Sequence, residues 1–63
     1  MIKPMRFKTG DIVTVKEDIT TSALFVPAGT KVKITYTDKL MRCYDIELDD
    51  GKWVTECSDS DFV

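Results

Sequence analysis

Residues 44–57, with the sequence YDIELDDGKWVTEC, constrain the fold of this chain more than any other stretch. Two runs of alternating apolar and polar residues flank Asp50-Gly51, and a turn pair of this kind between alternating runs predicts a β-hairpin. Tyr44, Ile46 and Leu48 share one face of the first run. We therefore expect a strand that buries these three side chains and exposes the acidic residues between them.

The length of the hairpin loop decides where the single tryptophan points. A two-residue type I′ turn at Asp50-Gly51 pairs Leu48 with Trp53 and directs Trp53 inward. A three-residue loop shifts the register by one, turns Val54 inward and leaves Trp53 outward as a contact anchor. We favour the two-residue turn, with Trp53 at least partly buried.

Other alternating segments complete a set of five predicted strands. Residues 12–16 are rich in β-branched side chains, and we expect Val13 and Val15 to face inward. The segment 30–37 alternates almost perfectly, which places Val32, Ile34 and Tyr36 together on a buried face. The predicted strands are 12–16, 31–37, 43–49, 52–56 and 62–63.

The connections between these strands differ in length and character. Residues 17–29 form the longest irregular stretch, and Pro27-Ala28-Gly29 within it predicts a turn. Asp38-Lys39 predicts a second turn, which leaves Leu40-Met41 near a loop tip, either tucked against the core or exposed for contact. Residues 57–61 are short and polar, and they predict a single 3₁₀ turn.

A chain of 63 residues is expected to form one domain, here 7–63, preceded by a flexible segment 1–6. A chain this short builds a binding surface more readily than a deep catalytic cleft. The N-terminal MIKPMRFK lacks the apolar run of a signal peptide, and no stretch approaches the ~20 apolar residues of a membrane span. We expect a cytoplasmic protein with reduced thiols.

The net charge of −2 hides an asymmetry along the chain. Residues 1–42 carry eight basic and four acidic residues, whereas residues 43–63 carry one basic and seven acidic residues. Two interpretations follow: an ordinary surface of mixed charge, or a bipolar surface that orients a protein partner.

The sequence offers no set of residues for catalysis, metal binding or a cofactor. It has no histidine, and its two cysteines, Cys43 and Cys57, lack the spacing of a zinc site. The favoured register directs Cys43 outward and Cys57 inward, which argues against a disulfide between them. The carboxylates of residues 45–50 are accounted for by one solvated strand face and a turn. We expect a protein that is not an enzyme and binds no cofactor or metal.

Four segments together resemble the SH3-like small barrels: FKTGDIVTVKED, VPAGTKVKITY, YDIELDDGKWVTE and SDSDFV. The resemblance covers residues 7–63. It implies an all-β, five-stranded barrel with a long first loop and a 3₁₀ turn before the last strand. Proteins with this pattern include KOW and Tudor-like modules, the small extrinsic subunit of photosystem I, and short phage or mobile-element proteins. The resemblance implies a fold and no single activity.

Two functions are weighed on this basis. The first is a protein–protein interaction module that is monomeric or self-associates weakly. A phage or mobile-element accessory or inhibitor protein is one role that fits such a module. Its predicted contact residues are Phe25, Leu40, Met41 and Trp53. The second is a nucleic-acid-binding KOW or Tudor-like module, which the net negative charge disfavours. Its predicted basic face consists of Lys16, Lys31, Lys33 and Lys39.

Overall fold

A computed structural model describes residues 4–63 and contains six short strands and one 3₁₀ turn. The strands are β1 (Ile12–Thr14), β2 (Ile19–Thr20), β3 (Phe25–Val26), β4 (Lys31–Asp38), β5 (Cys43–Glu47) and β6 (Trp53–Cys57). The 3₁₀ turn spans Asp59–Asp61, as predicted. The described residues contain no α-helix, so the all-β prediction is confirmed.

The strands form two antiparallel sheets. The larger sheet has the order β1-β4-β5-β6, and the smaller one pairs β2 with β3. After the 3₁₀ turn the chain returns to β1, where Val15 and Phe62 form an isolated antiparallel bridge. The Val63 N–H donates to the Thr14 carbonyl at 2.9 Å and extends this contact. In the structure residues 62–63 therefore form a bridge to the end of β1 and the residue after it, rather than a full strand.

Ten buried side chains fill the space beneath the larger sheet: Val13, Val15, Val26, Val32, Ile34, Tyr44, Ile46, Val54, Cys57 and Phe62. The inward positions predicted for Val13 and Val15 are confirmed. Three aromatic rings meet edge to face at one side of this core. Tyr44 lies 5.8 Å from Phe7 and 6.1 Å from Phe62, measured between ring centroids. Such geometry aligns ring edges with ring faces and adds to the stability gained by burial.

Two β-bulges lie on either side of Asp45. On β4, Ile34 pairs with Ile46 but Tyr36 pairs with Asp45, so Thr35 is an extra residue. The bulge reverses which residues of β4 face inward. The prediction that Tyr36 shares the buried face of Val32 and Ile34 is therefore wrong, and its side chain is 55% exposed.

The second bulge lies on β6. Ile46 pairs with Val54 and Tyr44 pairs with Cys57, which leaves one extra residue between Val54 and Cys57 on β6. Glu56 has a φ of 60° there, in the left-handed region. Because of this extra residue, Val54 and Cys57 both face inward.

The hairpin between β5 and β6 has a three-residue loop, residues 49–51. The Leu48 N–H donates to the Lys52 carbonyl at 2.8 Å, and Gly51 has a φ of 86°. A type I turn followed by a left-handed glycine produces this loop. The favoured two-residue turn is therefore wrong, and so is the partly buried tryptophan, because Glu47 pairs with Trp53. Trp53 is 67% exposed and Val54 is buried.

The stretch 17–29 is more regular than predicted, because β2 and β3 pair within it. Ile19 pairs with Val26, which is fully buried, so this hairpin covers one end of the core. The predicted turn after it is confirmed: the Thr30 N–H donates to the Pro27 carbonyl at 3.2 Å, and Gly29 has a φ of 89°. The Asp18 carboxylate accepts a hydrogen bond from the Ala28 N–H and ties the hairpin to this turn.

The predicted flexible segment 1–6 is described only from Pro4, and residues 1–3 lie outside the described residues. Met5 packs against the core. The Arg6 guanidinium lies 4.6 Å from the centroid of the Phe7 ring and donates to the carbonyls of Asp59, Phe62 and Val63. Residues 4–6 are thus attached to the domain through the 3₁₀ turn and the residues that follow it.

Candidate interaction surface

The outer face of the larger sheet carries a row of side chains that crosses all four strands. Ile12 pairs with Lys33, Lys33 with Glu47, and Glu47 with Trp53. All four residues are exposed. The row therefore has two apolar ends, at the two edge strands, and an oppositely charged pair in the middle.

Trp53 lies on β6, which pairs only with β5 within the larger sheet. Leu48 and Lys52 form a hydrogen-bonded pair, so the next pair, Glu47 and Trp53, is of the non-hydrogen-bonded type. The backbone N–H and C=O of Trp53 consequently point away from β5. A large aromatic side chain and an open strand edge thus occur at the same residue.

A second apolar region lies on the same face beyond the bulges. Tyr36 and Met41 line a groove of about 510 Å³, together with Arg42, Asp45 and Glu56. The bulge at Thr35 makes this possible, since it turns Tyr36 outward. Alternation alone places Tyr36 on the buried face of β4, so the sequence did not identify it as a surface residue.

The four predicted protein-binding residues are all exposed: Phe25 by 55%, Leu40 by 90%, Met41 by 71% and Trp53 by 67%. Of the two alternatives for Leu40-Met41, the exposed tip is the one observed. The Asp38 carboxylate accepts hydrogen bonds from the N–H groups of Leu40 and Met41 and fixes this turn. Met41 precedes β5 whereas Trp53 pairs with the last residue of β5, so the two lie toward opposite ends of that strand. Phe25 belongs to the smaller sheet. The four residues therefore do not form a single patch.

The four lysines of the alternative nucleic-acid face are also divided. Lys31 and Lys33 lie on β4, and Lys16 follows Val15, whose N–H donates to the Thr30 carbonyl. Lys39 follows the other end of β4, about 26 Å from Lys31 along an extended strand. The structure groups the first three lysines and separates Lys39 from them.

The acidic and basic parts of the sequence meet on one face. Lys33 of β4 lies opposite Glu47 of β5, and Lys31, Glu47 and Asp49 line a common groove. Neighbouring charges of opposite sign cancel much of each other's field at a distance. Along these two strands the surface is of the mixed type rather than the bipolar one.

A hydrogen-bond chain supports the core beneath this surface. The Phe7 N–H donates to the Tyr44 hydroxyl at 3.2 Å, and the hydroxyl donates to the Asp59 carboxylate. Burial, followed by the hydrogen bond to Asp59, raises the pKa of Tyr44. Asp59 also lies 4.0 Å from the Arg42 guanidinium, so the 3₁₀ turn is held from two sides.

Both cysteines are free thiols. Cys57 faces the core and Cys43 is partly exposed, in agreement with the predicted orientations. Burial raises the pKa of Cys57 to about 12, and the nearby Asp61 carboxylate acts in the same direction. The Cys57 thiol is therefore protonated and unreactive at neutral pH.

Within residues 4–63, no three side chains of His, Cys, Asp or Glu converge as metal ligands, and every buried side-chain polar atom has a hydrogen-bond partner. The same residues include no helix of the length and apolar character that a membrane span requires.

Comparisons with known proteins return no match to a family model, a curated protein or a solved structure.

Proposed function

We propose that this protein is a non-enzymatic interaction module that binds an extended, basic segment of a partner protein along the open edge of β6. One observation carries the proposal: Trp53 is 67% exposed and lies on an edge strand with its backbone directed outward. An incoming strand gains main-chain hydrogen bonds at such an edge, and a neighbouring aromatic side chain supplies an apolar contact.

The charge around β6 supports a basic partner. The loop before β6 contains Asp49 and Asp50, which outnumber the one basic residue beside them, Lys52. Glu56 adds a further exposed carboxylate on β6 itself. A segment with alternating basic residues places its charges near these carboxylates, which favours association and fixes register.

The proposal includes an SH3-like arrangement of the strands. The support is the order β1-β4-β5-β6, the 3₁₀ turn after β6 and the bridge from Phe62 to Val15, the residue after β1. A role as a phage or mobile-element accessory or inhibitor protein agrees with the small size, and it rests on the sequence resemblance alone.

The nucleic-acid alternative receives less support. Lys31 and Lys33 lie next to Glu47 and Asp49, and carboxylates beside lysines repel phosphates. An electrophoretic mobility shift at low salt with single- and double-stranded DNA and RNA tests this alternative. Retardation at tens of micromolar protein, lost in a Lys31→Gln/Lys33→Gln variant, would favour it over protein binding.

The main test uses a fluorescently labelled ten-residue peptide of alternating Lys and Val, followed by anisotropy. We expect binding that is at least tenfold weaker for Trp53→Thr and unchanged for Ile12→Thr, because Ile12 is an equally exposed apolar residue at the opposite edge of the same face. Threonine retains a strong preference for strands in both variants.

Two further peptides separate strand addition from simple charge attraction. A peptide of alternating Glu and Val should not bind, and the basic peptide N-methylated at every residue should lose its binding, since it can no longer donate to the edge. Equal binding of the methylated peptide, or no binding of the basic peptide at 1 mM, would refute the proposed mode.

A further inference from the structure

A second concave site lies on the other side of the sheet, between the N-terminal segment and the end of β4. The cleft measures about 820 Å³, and its lining is Pro4, Met5, Phe7, Lys8, Thr9, Thr37, Lys39 and Arg42. Pockets that hold small organic ligands have volumes of about 300–1,000 Å³. The cleft shares Arg42 with the groove on the outer face but is otherwise built from different residues.

The charge of this lining contrasts with that of the whole chain. It includes three cations, Lys8, Lys39 and Arg42, and no carboxylate, in a protein with a net charge of −2. The nearest acids in sequence have other partners. Asp38 accepts hydrogen bonds from the Leu40 and Met41 amides, and Asp11 accepts one from the Lys8 backbone. Several cations in a concave, partly apolar site concentrate anions there.

The backbone at Arg42 supports a role for its side chain. Arg42 has a φ of 56°, in the left-handed region, and ends the turn before β5. Glycine or asparagine adopts this conformation at lower cost, and a strained non-glycine residue is a reason to look for a function of its side chain. Arg42 lines the cleft, and its guanidinium lies 4.0 Å from the Asp59 carboxylate, which limits its movement and offsets part of its charge.

The remaining lining residues suit an organic ligand rather than a bare ion. The Thr9 and Thr37 hydroxyls form a hydrogen bond with each other at 3.4 Å, which leaves one hydroxyl hydrogen on this wall free to donate to a ligand. Pro4, Met5 and Phe7 provide an apolar wall, and methionine sulfur and aromatic rings make favourable contacts with flat rings. Thr37 reaches the cleft because the bulge at Thr35 exchanges the faces of Tyr36 and Thr37.

We propose that this cleft binds a small organic phosphate with a flat ring, of the size of a mononucleotide. The phosphate lies among Lys8, Lys39 and Arg42, and the ring packs on the apolar wall. This site does not depend on the proposed protein-binding edge, because Trp53 and β6 do not line it.

The test follows backbone amide signals of the full chain by NMR during titration with adenosine monophosphate. We expect shifts at the amides of Thr9, Thr37 and Lys39, with binding weakened at least fivefold in Lys8→Gln/Lys39→Gln. The matched control is Lys31→Gln/Lys33→Gln, which removes the same charge from the outer face and should leave binding unchanged. All four lysines are exposed, so neither variant disturbs the core.

Adenosine and inorganic phosphate complete the experiment, and each should bind at least fivefold more weakly than adenosine monophosphate. No shift at the cleft amides with 10 mM adenosine monophosphate would overturn the proposal. Equal weakening by the control variant would do so as well, since it indicates general charge attraction. Equal affinity for inorganic phosphate would overturn the role of the apolar wall and with it the assigned ligand class.

Discussion

The Tyr44 hydroxyl donates a hydrogen bond to the carboxylate of Asp59, so a fully buried side chain of β5 is joined to the 3₁₀ turn. The same hydroxyl accepts a hydrogen bond from the Phe7 N–H at 3.2 Å. One oxygen atom thus links the N-terminal segment, the middle of the sheet and the turn after it.

Replacing Tyr44 with phenylalanine should lower the free energy of unfolding by about 1–3 kcal/mol, because the Phe7 N–H and Asp59 lose a buried partner. Chemical denaturation monitored by circular dichroism measures the change. The matched control is Tyr36→Phe, which removes the same hydroxyl from an exposed ring and should change stability by less than about 0.5 kcal/mol. Equal effects in the two variants would contradict the proposed importance of the hydroxyl.

Stability should fall as the pH rises above about 9. The pKa of Cys57 is raised from 9.0 to about 12, and that of Tyr44 is raised from 10.0. The unfolded chain therefore releases these protons at lower pH than the folded chain does. The stability that these two groups contribute is fully present below their pKa values in the unfolded chain. It is lost as the pH rises through their pKa values in the folded chain. Urea unfolding at several pH values from 8 to 11 should show this decline, with a smaller slope in Cys57→Ala; an unchanged slope would exclude Cys57 as a source.

Replacing Glu56 with glycine should stabilise the protein by about 0.5–1 kcal/mol, since glycine adopts the left-handed conformation at this bulge without strain. A gain of 1 kcal/mol corresponds to about 4–8 °C in Tm for a domain of this size. Glu47→Gly is the control: it removes the same carboxylate from a regular strand position and should be destabilising. Destabilisation of similar size in both variants would argue against strain at residue 56.

The Leu40→Ser/Met41→Ser variant should bind a protein partner more weakly while its Tm stays nearly unchanged, because Met41 lines a groove with Thr55 and Glu56 of β6. Both side chains are more than 70% exposed, so their removal costs little stability. Capture of partners from a lysate, compared with a thermal melt, measures both properties. Undiminished capture would remove the loop tip from the binding surface and leave the β6 edge as the remaining candidate.

The fluorescence of Trp53 should report directly on the open edge. As the only tryptophan and 67% exposed, it should emit close to the wavelength of the unfolded chain and be quenched readily by acrylamide. Binding of the alternating Lys and Val peptide should shift the emission to shorter wavelength and reduce quenching. An emission maximum typical of a buried indole in the free protein would contradict the three-residue loop.

Local pattern was sufficient for most of the strands and for the identity of the core. The alternation around Val13, Val32 and Ile46 predicts their burial, because each lies on a regular part of a strand whose one face is apolar. The 3₁₀ turn and the turn at Gly29 also follow from local residue types. These features depend on neighbours in sequence, which the sequence shows directly.

The errors at Tyr36 and Trp53 have a common cause. Each depends on one residue added to a strand or a loop, and one residue exchanges the two faces of everything that follows. Thr35 has no side chain typical of a bulge, so composition gives no signal there, and Asp49-Asp50-Gly51 is compatible with a hairpin loop of two or three residues. The cleft lined by Lys8, Lys39 and Arg42 was not predicted because it forms only when the N-terminal segment folds back beside β4. Contacts between segments this far apart in sequence leave no local pattern.

The bulge at Glu56 also limits how far the edge of β6 can propagate. Regular pairing along this edge is interrupted after Thr55, so an added strand finds few consecutive donors and acceptors before the backbone turns away. A short segment of a partner can still pair with the first residues of β6. Stacking of whole molecules edge to edge into fibrils requires a long, flat edge, and the bulge removes it. The bulge at Glu56 thus protects the edge beside the exposed tryptophan from becoming a site of aggregation.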